Sequence, residues 1–187
     1  LCRTKETAKD QKRKKPWMRN PVTFGVAVTP TRDWASIGAA GDCREGGTAV
    51  EVIEHRPGTD WLPARLAELV KTHKAASVAI DPRGPAGSLI AKLIKAGIRE
   101  DQIHECNTTD HVKACAQFYD DTKVHTIVHR SSPELDAAVA VAHERPVGEG
   151  WMFNRKNDEI PISPLECVEL AAWGHANHAP VDLLTQV

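Results

Sequence analysis

One aspartate stands where a carboxylate can do chemistry. Asp81 follows the apolar run SVAI (77–80) and precedes the turn-forming residues PRGP (82–85). An apolar run bounded by proline and glycine predicts a buried strand, and open α/β sheets bind ligands beyond the carboxyl ends of such strands. A carboxylate there is a hard oxygen ligand for Mg²⁺ or Mn²⁺. The alternative is a structural role, in which Asp81 accepts hydrogen bonds within its own turn and caps the next helix.

Histidine and cysteine side chains form two further pairs at helical spacing. His111 and Cys115 are four residues apart in one predicted helix, and His175 and His178 are three apart near the end of another. Such pairs can share a metal ion, but a structural zinc site needs four ligands, and no second pair lies close by in the sequence. Cys115 and Cys167 fall among apolar helical positions, which is typical of buried thiols rather than nucleophiles.

Composition and missing motifs exclude several classes of protein. The 187 residues are 41% apolar and 26% charged, which fits one folded domain. No apolar stretch approaches the roughly 20 residues that cross a bilayer. The chain has no P-loop, no dinucleotide fingerprint and no G-x-S-x-G elbow. The five scattered cysteines, without a C-x-x-C pair, indicate a reduced, cytoplasmic setting. Leu1 leads into a lysine-rich stretch without a signal peptide, so we expect a fragment or a processed piece that is not secreted.

Positive charge is concentrated at the start of the chain. Residues 1–20 carry eight Lys or Arg against Glu6 and Asp10, a net +6, which leaves −7 for residues 21–187 because the whole chain carries −1. A cationic arm on an acidic body suits a polyanion such as DNA. We therefore assign residues 1–21 to a basic linker or arm and residues 22–187 to the folded domain. The alternative is a solvated linker. The arm's candidate DNA-binding residues are Lys12, Arg13, Lys14 and Lys15.

The hydrophobic pattern changes along the body of the chain. β-Branched and apolar runs at 22–29, 35–41 and 48–54 predict three strands joined by tight turns, which form an antiparallel meander. Helices are then predicted from residue 59 or 60, which would be the N-cap, and over 86–96, 109–121, 133–143 and 164–175. They alternate with strands at 77–80, 103–106, 126–129 and 151–155. This order predicts an α/β fold with a mixed sheet, a meander plus parallel strands, and helices on both faces.

Several strings of the chain resemble one protein family. They are FGVAVTPTRDWASIGAAG (24–41), VAIDPRGPAGSLIAKLIKAG (78–97) and ISPLECVELAAWGHA (162–176), and the likeness runs in order over about residues 22–176. The family is the nuclease domain of the large terminase subunit of tailed bacteriophages. The resemblance implies an RNase H-like fold and an endonuclease that cuts concatemeric double-stranded DNA with two Mg²⁺ or Mn²⁺ ions. It also implies a terminase ATPase domain, a small terminase subunit and a portal as partners, in the cytoplasm of the bacterial host, with no membrane.

The chain departs from the family at two of three implied metal ligands. Asp81 matches the middle acid, but Ala27 stands at the first acidic position and Pro161 at the last. Candidate substitutes are Asp158 and Glu159, as catalytic and metal-binding residues with Asp81, and Asp33 as a metal ligand. For each, the alternative is an exposed loop acid. Further candidate DNA-binding residues are Arg83, Arg155 and Lys156.

Three alternatives stay open on the sequence alone. The domain is an active two-metal endonuclease, or a catalytically degenerate module that binds DNA or docks to the packaging motor, or an engineered chain with its ligands removed. A small-molecule α/β enzyme is disfavoured because no glycine-rich phosphate cradle is present. Metal-gathering carboxylates repel DNA, so we expect DNA binding by the body alone to depend on divalent ions, unlike binding through the arm.

Overall fold

The computed structural model describes residues 17–130, 132–156 and 159–177. Within these residues the chain forms eight strands and five α-helices. The strands are β1 (Thr23–Val28), β2 (Trp34–Asp42), β3 (Thr48–Pro57), β4 (Ser77–Ile80), β5 (Ile103–Glu105), β6 (Ile127–His129), β7 (Glu144–Val147) and β8 (Gly150–Phe153). The helices are α1 (Leu62–His73), α2 (Ile90–Lys95), α3 (Thr108–Lys123), α4 (Pro133–Val141) and α5 (Ser163–Asn177). Residues 1–16 of the predicted arm lie outside the described part, so the division at residue 21 stays a prediction.

The main sheet has six strands in the order β5-β4-β1-β2-β3-β6. β1, β2 and β3 form the antiparallel meander, while β4 lies parallel to β1, β5 parallel to β4 and β6 parallel to β3. The predicted mixed sheet is therefore confirmed. The strand predicted at 151–155 is β8, and it pairs with β7 in a separate two-stranded hairpin, which the sequence pattern did not predict.

Helices cover both faces of the sheet, as predicted. All six residues of β1 are buried, and neighbouring residues of a strand point to opposite faces. Phe24, Val26 and Val28 belong to the core cluster that includes buried residues of α1 and α2. Ala27 belongs to the opposite cluster, which includes residues of α4 and α5. Position 27 therefore faces α5, which also carries the charged residues described below.

Glycines in the central strands allow α5 to pack directly on the sheet. A Cβ on Gly25 would lie 2.0 Å from the carbonyl oxygen of Cys167, and one on Gly38 would lie 2.7 Å from the same atom. Both distances are far shorter than van der Waals contact. Any side chain at these two positions would lift α5 away from β1 and β2, so the glycine-rich and alanine-rich strands set how deep the helix lies.

The start of α1 differs from the prediction. Thr59 and Asp60 are not the N-cap; the helix begins at Leu62 after Trp61, whose backbone is already helical and which makes no side-chain cap hydrogen bond. The indole of Trp61 instead donates to the carbonyl of Gly58 at 3.1 Å. Pro63 in the first turn needs no hydrogen-bond partner for its nitrogen, which lowers the need for a cap. None of the helices in the described segments has both the length and the apolar character to cross a membrane.

Candidate functional site

Asp81 lies at the carboxyl end of β4, next to the end of β1. Its Oδ1 accepts hydrogen bonds from the backbone N–H groups of Arg83 at 2.9 Å and Gly84 at 3.0 Å, so the turn holds the carboxylate in one orientation. Oδ2 points the other way, toward His111 on α3 and Arg155 after β8. The turn hydrogen bonds of the structural role considered above are present, but Asp81 does not cap the next helix, and its second carboxylate oxygen is left for other partners.

Arg155 occupies the space beside that second oxygen. Its Nη2 lies 2.7 Å from Asp81 Oδ2, and its guanidinium also donates to the carboxylate of Glu166 in the first turn of α5. Only 15% of the Arg155 side chain is exposed, against 8% for Asp81 and 5% for Glu166. One largely buried guanidinium therefore bridges two buried carboxylates that are far apart in the sequence.

His111 connects Asp81 to a third buried carboxylate. Its Nδ1 lies 3.3 Å from Asp81 Oδ2, and its Nε2 lies 3.1 Å from Glu169 Oε2. Asn107 caps the N-terminus of α3 by accepting from the N–H groups of Thr109 and Asp110, which fixes the turn that carries His111. Glu169 is one turn along α5 from Glu166. We call Asp81, His111, Arg155, Glu166 and Glu169 the buried ion network.

The charges of the network support one another. Burial alone would raise the pKa of Asp81, but the hydrogen bonds from His111 and Arg155 outweigh it and hold that pKa well below its usual range. Burial would lower the pKa of His111, but Glu169 and Asp81 outweigh burial and raise it. Burial also disfavours the charge on Arg155, and the carboxylates of Glu166 and Asp81 more than offset it, so its pKa rises. The network therefore sets two cationic side chains, His111 and Arg155, among the carboxylates of Asp81, Glu166 and Glu169.

Ala27 borders the same place. A small recess is lined by Ala27 and its β1 neighbours, by Asp81 and its turn, and by Arg155 and Glu166. A longer side chain at position 27 would point into this recess because its Cβ faces α5. The recess is thus the place where the resemblance implies three converging acids, and in this chain the methyl group of Ala27, the two acids Asp81 and Glu166, and the guanidinium of Arg155 meet there.

The other predicted site residues lie elsewhere. Asp33 is exposed in the turn between β1 and β2, and no hydrogen bond or ion pair joins its side chain to Asp81 among the described residues. Glu159 is exposed on the loop before α5. Arg83 and Lys156 are exposed, whereas Arg155 points inward. Five of the candidates lie outside the described residues: Lys12, Arg13, Lys14, Lys15 and Asp158. Their roles, and DNA binding by Arg83, Arg155 and Lys156, stay predictions.

Sequence reasoning missed Glu166 and Glu169 and did not connect His111 to Asp81. A signal was present, because the two glutamates are three residues apart in PLECVELAAWG, an otherwise apolar helix. Charged residues at that spacing lie on one face of a helix. Because most of the rest of this helix is apolar and buried, the two glutamates need buried partners. These partners are Arg155 for Glu166 and His111 for Glu169.

The architecture is that of an RNase H-like α/β domain, and its solved counterparts are large terminases of phages. The HK97 bacteriophage large terminase matches with a TM-score of 0.68 and 11% identity over 85% of this chain, which spans 40% of that protein. The large terminase nuclease of thermophilic phage G20c with bound magnesium matches at 0.59 and 13%, covering 83% of this chain and 82% of that one. The nuclease domain of the bacteriophage SPP1 large terminase with bound Mn matches at 0.53 and 14%, covering 88% and 89%.

These likenesses establish the fold, and the predicted terminase-nuclease architecture is confirmed. Identities of 11–14% show nothing beyond the fold. No protein-family model matches the chain, and no curated protein matches its sequence.

The residues around the recess do not fit a pair of divalent cations. Two ions about 3.5–4 Å apart need several anionic ligands between and around them. Positions 27 and 161 hold alanine and proline, and Asp81 shares its free oxygen with Arg155 and His111. A guanidinium in contact with both Asp81 and Glu166 supplies the positive charge that a metal ion would otherwise bring. Among the described residues, which do not include Asp158, the arrangement pairs the buried carboxylates with cations and leaves no free acidic set for two-metal hydrolysis.

Proposed function

We propose that this chain is the nuclease-fold domain of the large terminase subunit of a tailed phage, and that it binds the double-stranded DNA being packaged without cutting it. The observation that carries the second part is Arg155, which joins Asp81 and Glu166 opposite Ala27. The fold supports the first part. Its partners would be the terminase ATPase domain, the small terminase subunit and the portal, in the cytoplasm of the bacterial host.

Exposed cations at the carboxyl edge of the sheet supply the DNA-binding surface in this proposal. Arg83 follows Asp81 directly and Lys156 follows Arg155, and both are exposed. Arg32 lies at the same edge, since its guanidinium donates to the carbonyl of Pro85 at 2.6 Å. The acids beneath this surface are already paired with Arg155 and His111. The edge therefore offers phosphate-binding cations without a set of free carboxylates to repel the backbone of DNA.

A second candidate function is divalent-metal-dependent cleavage of concatemeric DNA, and one observation favours it. Asp81 and Glu166 both contact the same nitrogen, Arg155 Nη2, so their oxygens lie on two sides of one cation position. If the Arg155 side chain swung out, these two carboxylates would be the residues to hold Mg²⁺ or Mn²⁺. The ion would supply a Lewis acid for phosphodiester hydrolysis, while Asp81, fixed by its turn, would orient it.

A plasmid assay separates the two candidates. The full chain is incubated with supercoiled plasmid and Mn²⁺, beside its Asp81→Asn and Glu166→Gln variants, and DNA binding is measured in parallel by mobility shift in EDTA. We expect a mobility shift in EDTA and no nicking by any of the three proteins. Nicking by the parent chain that both variants abolish would overturn the non-cutting proposal in favour of cleavage. Absence of any mobility shift would overturn the DNA-binding part.

A further inference from the structure

A second set of metal-ligating groups lies behind the recess, on the far side of His111. His111, Cys115 and Glu169 each place one ligand atom within 4.8 Å of the others, and all three residues are buried. His111 and Cys115 are one turn apart on the same face of α3, and α5 brings Glu169 against them. Helix packing thus adds the third ligand that the sequence spacing lacked.

Glu169 carries an independent sign of a missing ligand. The residue is completely buried, and its Oε1 has no hydrogen-bond partner among the described residues. A buried carboxylate oxygen without a partner costs free energy, so such atoms are rare in folded proteins. The other oxygen, Oε2, faces His111 Nε2, so the carboxylate offers one or both oxygens to an ion placed between the three side chains.

We propose that His111, Cys115 and Glu169 form a buried site for one Zn²⁺ ion, with the second, unpartnered oxygen of Glu169 as the fourth donor atom, separate from the terminase-type acidic site. Imidazole, thiolate and carboxylate are all common zinc ligands, and the thiolate disfavours Mg²⁺ and Mn²⁺. In a tetrahedral site with bonds of about 2.0–2.1 Å, a nitrogen and an oxygen ligand lie about 3.3 Å apart. The distance from His111 Nε2 to Glu169 Oε2 is 3.1 Å, so these two atoms are already spaced as neighbouring ligands.

The charges balance when the ion binds. Without metal, burial raises the pKa of the Cys115 thiol to about 11, so the sulfur is protonated. Binding of Zn²⁺ releases two protons: one from the Cys115 thiol and one from the hydrogen bond between His111 and Glu169. One dication then faces one thiolate and one carboxylate, which is a neutral group and suits a dry interior.

Asp81 acquires a defined role in this site. Metal-binding histidines commonly donate their second ring N–H to a carboxylate, which fixes the ring and raises its basicity. With His111 Nε2 on the ion, its Nδ1–H donates to Asp81 Oδ2, 3.3 Å away. Asp81 is then a positioning residue for zinc rather than a ligand of catalytic magnesium.

Metal content and cobalt spectroscopy test the site. The full chain is produced with added Zn²⁺ or Co²⁺, desalted and analysed by plasma mass spectrometry and absorption. We expect about one metal ion per chain and, with cobalt, a thiolate-to-Co²⁺ charge-transfer band together with tetrahedral d–d bands. Cys115→Ala and Glu169→Gln should lose the metal, and Cys115→Ala should lose the charge-transfer band. Cys43→Ser, a buried thiol in another part of the fold, should keep both.

Two further results decide the assignment. Asp81→Asn should keep the charge-transfer band but bind the metal about 10–100-fold more weakly, as expected for a residue that acts through a ligand. Circular dichroism identifies any variant that fails to fold, and Cys115→Ala is the mildest of them because it only removes a sulfur atom. The proposal is overturned if the folded parent chain retains no Zn²⁺ and shows no cobalt band, or if folded Cys115→Ala retains both. These readouts do not depend on DNA binding, so they stand apart from the proposed function.

Discussion

Arg155 Nη2 lies 2.7 Å from Asp81 Oδ2, although the two residues are 74 positions apart in the sequence. Asp81 is fixed by its turn after β4, and Arg155 follows the β7–β8 hairpin. The pair therefore ties the small hairpin to the end of the main sheet. Because Arg155 also binds Glu166 at the start of α5, one side chain joins three parts of the fold and pairs with two buried acids.

We expect Arg155→Ala to destabilise the chain by about 3–5 kcal/mol, since removing one partner of a buried ion pair leaves uncompensated charge. Asp81 and Glu166 would then lose the guanidinium between them and keep only His111 nearby, at 3.3 Å and 3.8 Å. Urea unfolding followed by circular dichroism measures the free energy of unfolding. Lys156→Ala is the matched control, because this neighbour is exposed and should change stability by less than about 0.5 kcal/mol. Equal, small losses for the two variants would show that the Arg155 pairs contribute little.

The buried histidine makes stability depend on pH. The pKa of His111 is raised in the folded chain, so its contribution is complete below its ordinary value of 6.5 and decreases as pH rises above that value. Asp81 acts in the opposite sense, since its pKa is lowered and its contribution is lost as pH falls through and below 3.8. We expect the combined contribution of His111 and Asp81 to be maximal between these two values.

A double variant in which two uncharged residues replace His111 and Glu169 provides the reference for measuring this pH dependence. Metal-free parent chain is compared with His111→Gln/Glu169→Gln, in which neither residue can hold the extra proton. The difference in unfolding free energy should fall by about 1.4 kcal/mol per pH unit above 6.5, the slope for one additional proton in the folded state. His125→Asn, at an exposed position, should leave the pH profile of the parent unchanged. A difference that stays constant through this range would show that His111 titrates normally.

The sheet and its helices were predictable because their signals are local. The meander strands are β-branched or apolar runs between turn residues, and the helices carry apolar residues at helical spacing. β7 was missed since Glu144–Val147 contains Pro146 and is only half-buried, so it lacks the pattern of a core strand. It exists because β8 pairs with it, which is a tertiary contact and leaves no strong trace in the sequence.

The site was only partly predictable for the same reason. Asp81 was located correctly at the end of its strand because the proline–glycine turn is visible in the sequence. Arg155 was assigned to a DNA-binding surface because nothing local distinguishes a buried arginine from an exposed one. Its position depends on Glu166, and the position of Glu166 depends on how closely α5 packs against Gly25.

DNA binding should not require divalent ions. The acids at the carboxyl edge are paired internally, which changes the expectation drawn from the sequence for an active site rich in free carboxylates. We expect the full chain to bind a labelled duplex in EDTA, with affinity that falls as salt rises. Arg83→Ala/Lys156→Ala should lower the slope of log affinity against log salt by about 2, since each cation contributes about one released counter-ion. Fluorescence anisotropy over a salt series measures this slope.

Lys71→Ala/Lys95→Ala is the matched control for that slope. Both lysines are exposed on α1 and α2, which cover the face of the sheet opposite α5. Their removal changes the net charge by the same amount as Arg83→Ala/Lys156→Ala and leaves the proposed DNA-binding surface intact. The slope should then stay close to that of the parent chain. If both double variants lower the slope equally, DNA binding depends on the total charge of the chain and not on the cations at the carboxyl edge of the sheet.

Replacing the guanidinium by an acid should convert the recess into a site for a divalent ion. In Ala27→Asp/Arg155→Ala the new carboxylate points toward Asp81 and Glu166, because position 27 lines the same recess. Three carboxylates with only His111 as a nearby cation repel one another, so this variant should be less stable than Arg155→Ala in EDTA. Added Mn²⁺ should reverse the loss, by about 2.7 kcal/mol when its concentration is 100 times its dissociation constant.

The parent chain should show no comparable rise in melting temperature with Mn²⁺, since Arg155 already holds the two acids together. Asp81→Asn added to the double variant should abolish the Mn²⁺ effect. Stabilisation that persists without Asp81 would place the ion elsewhere and remove the geometric link between Ala27 and the end of β4.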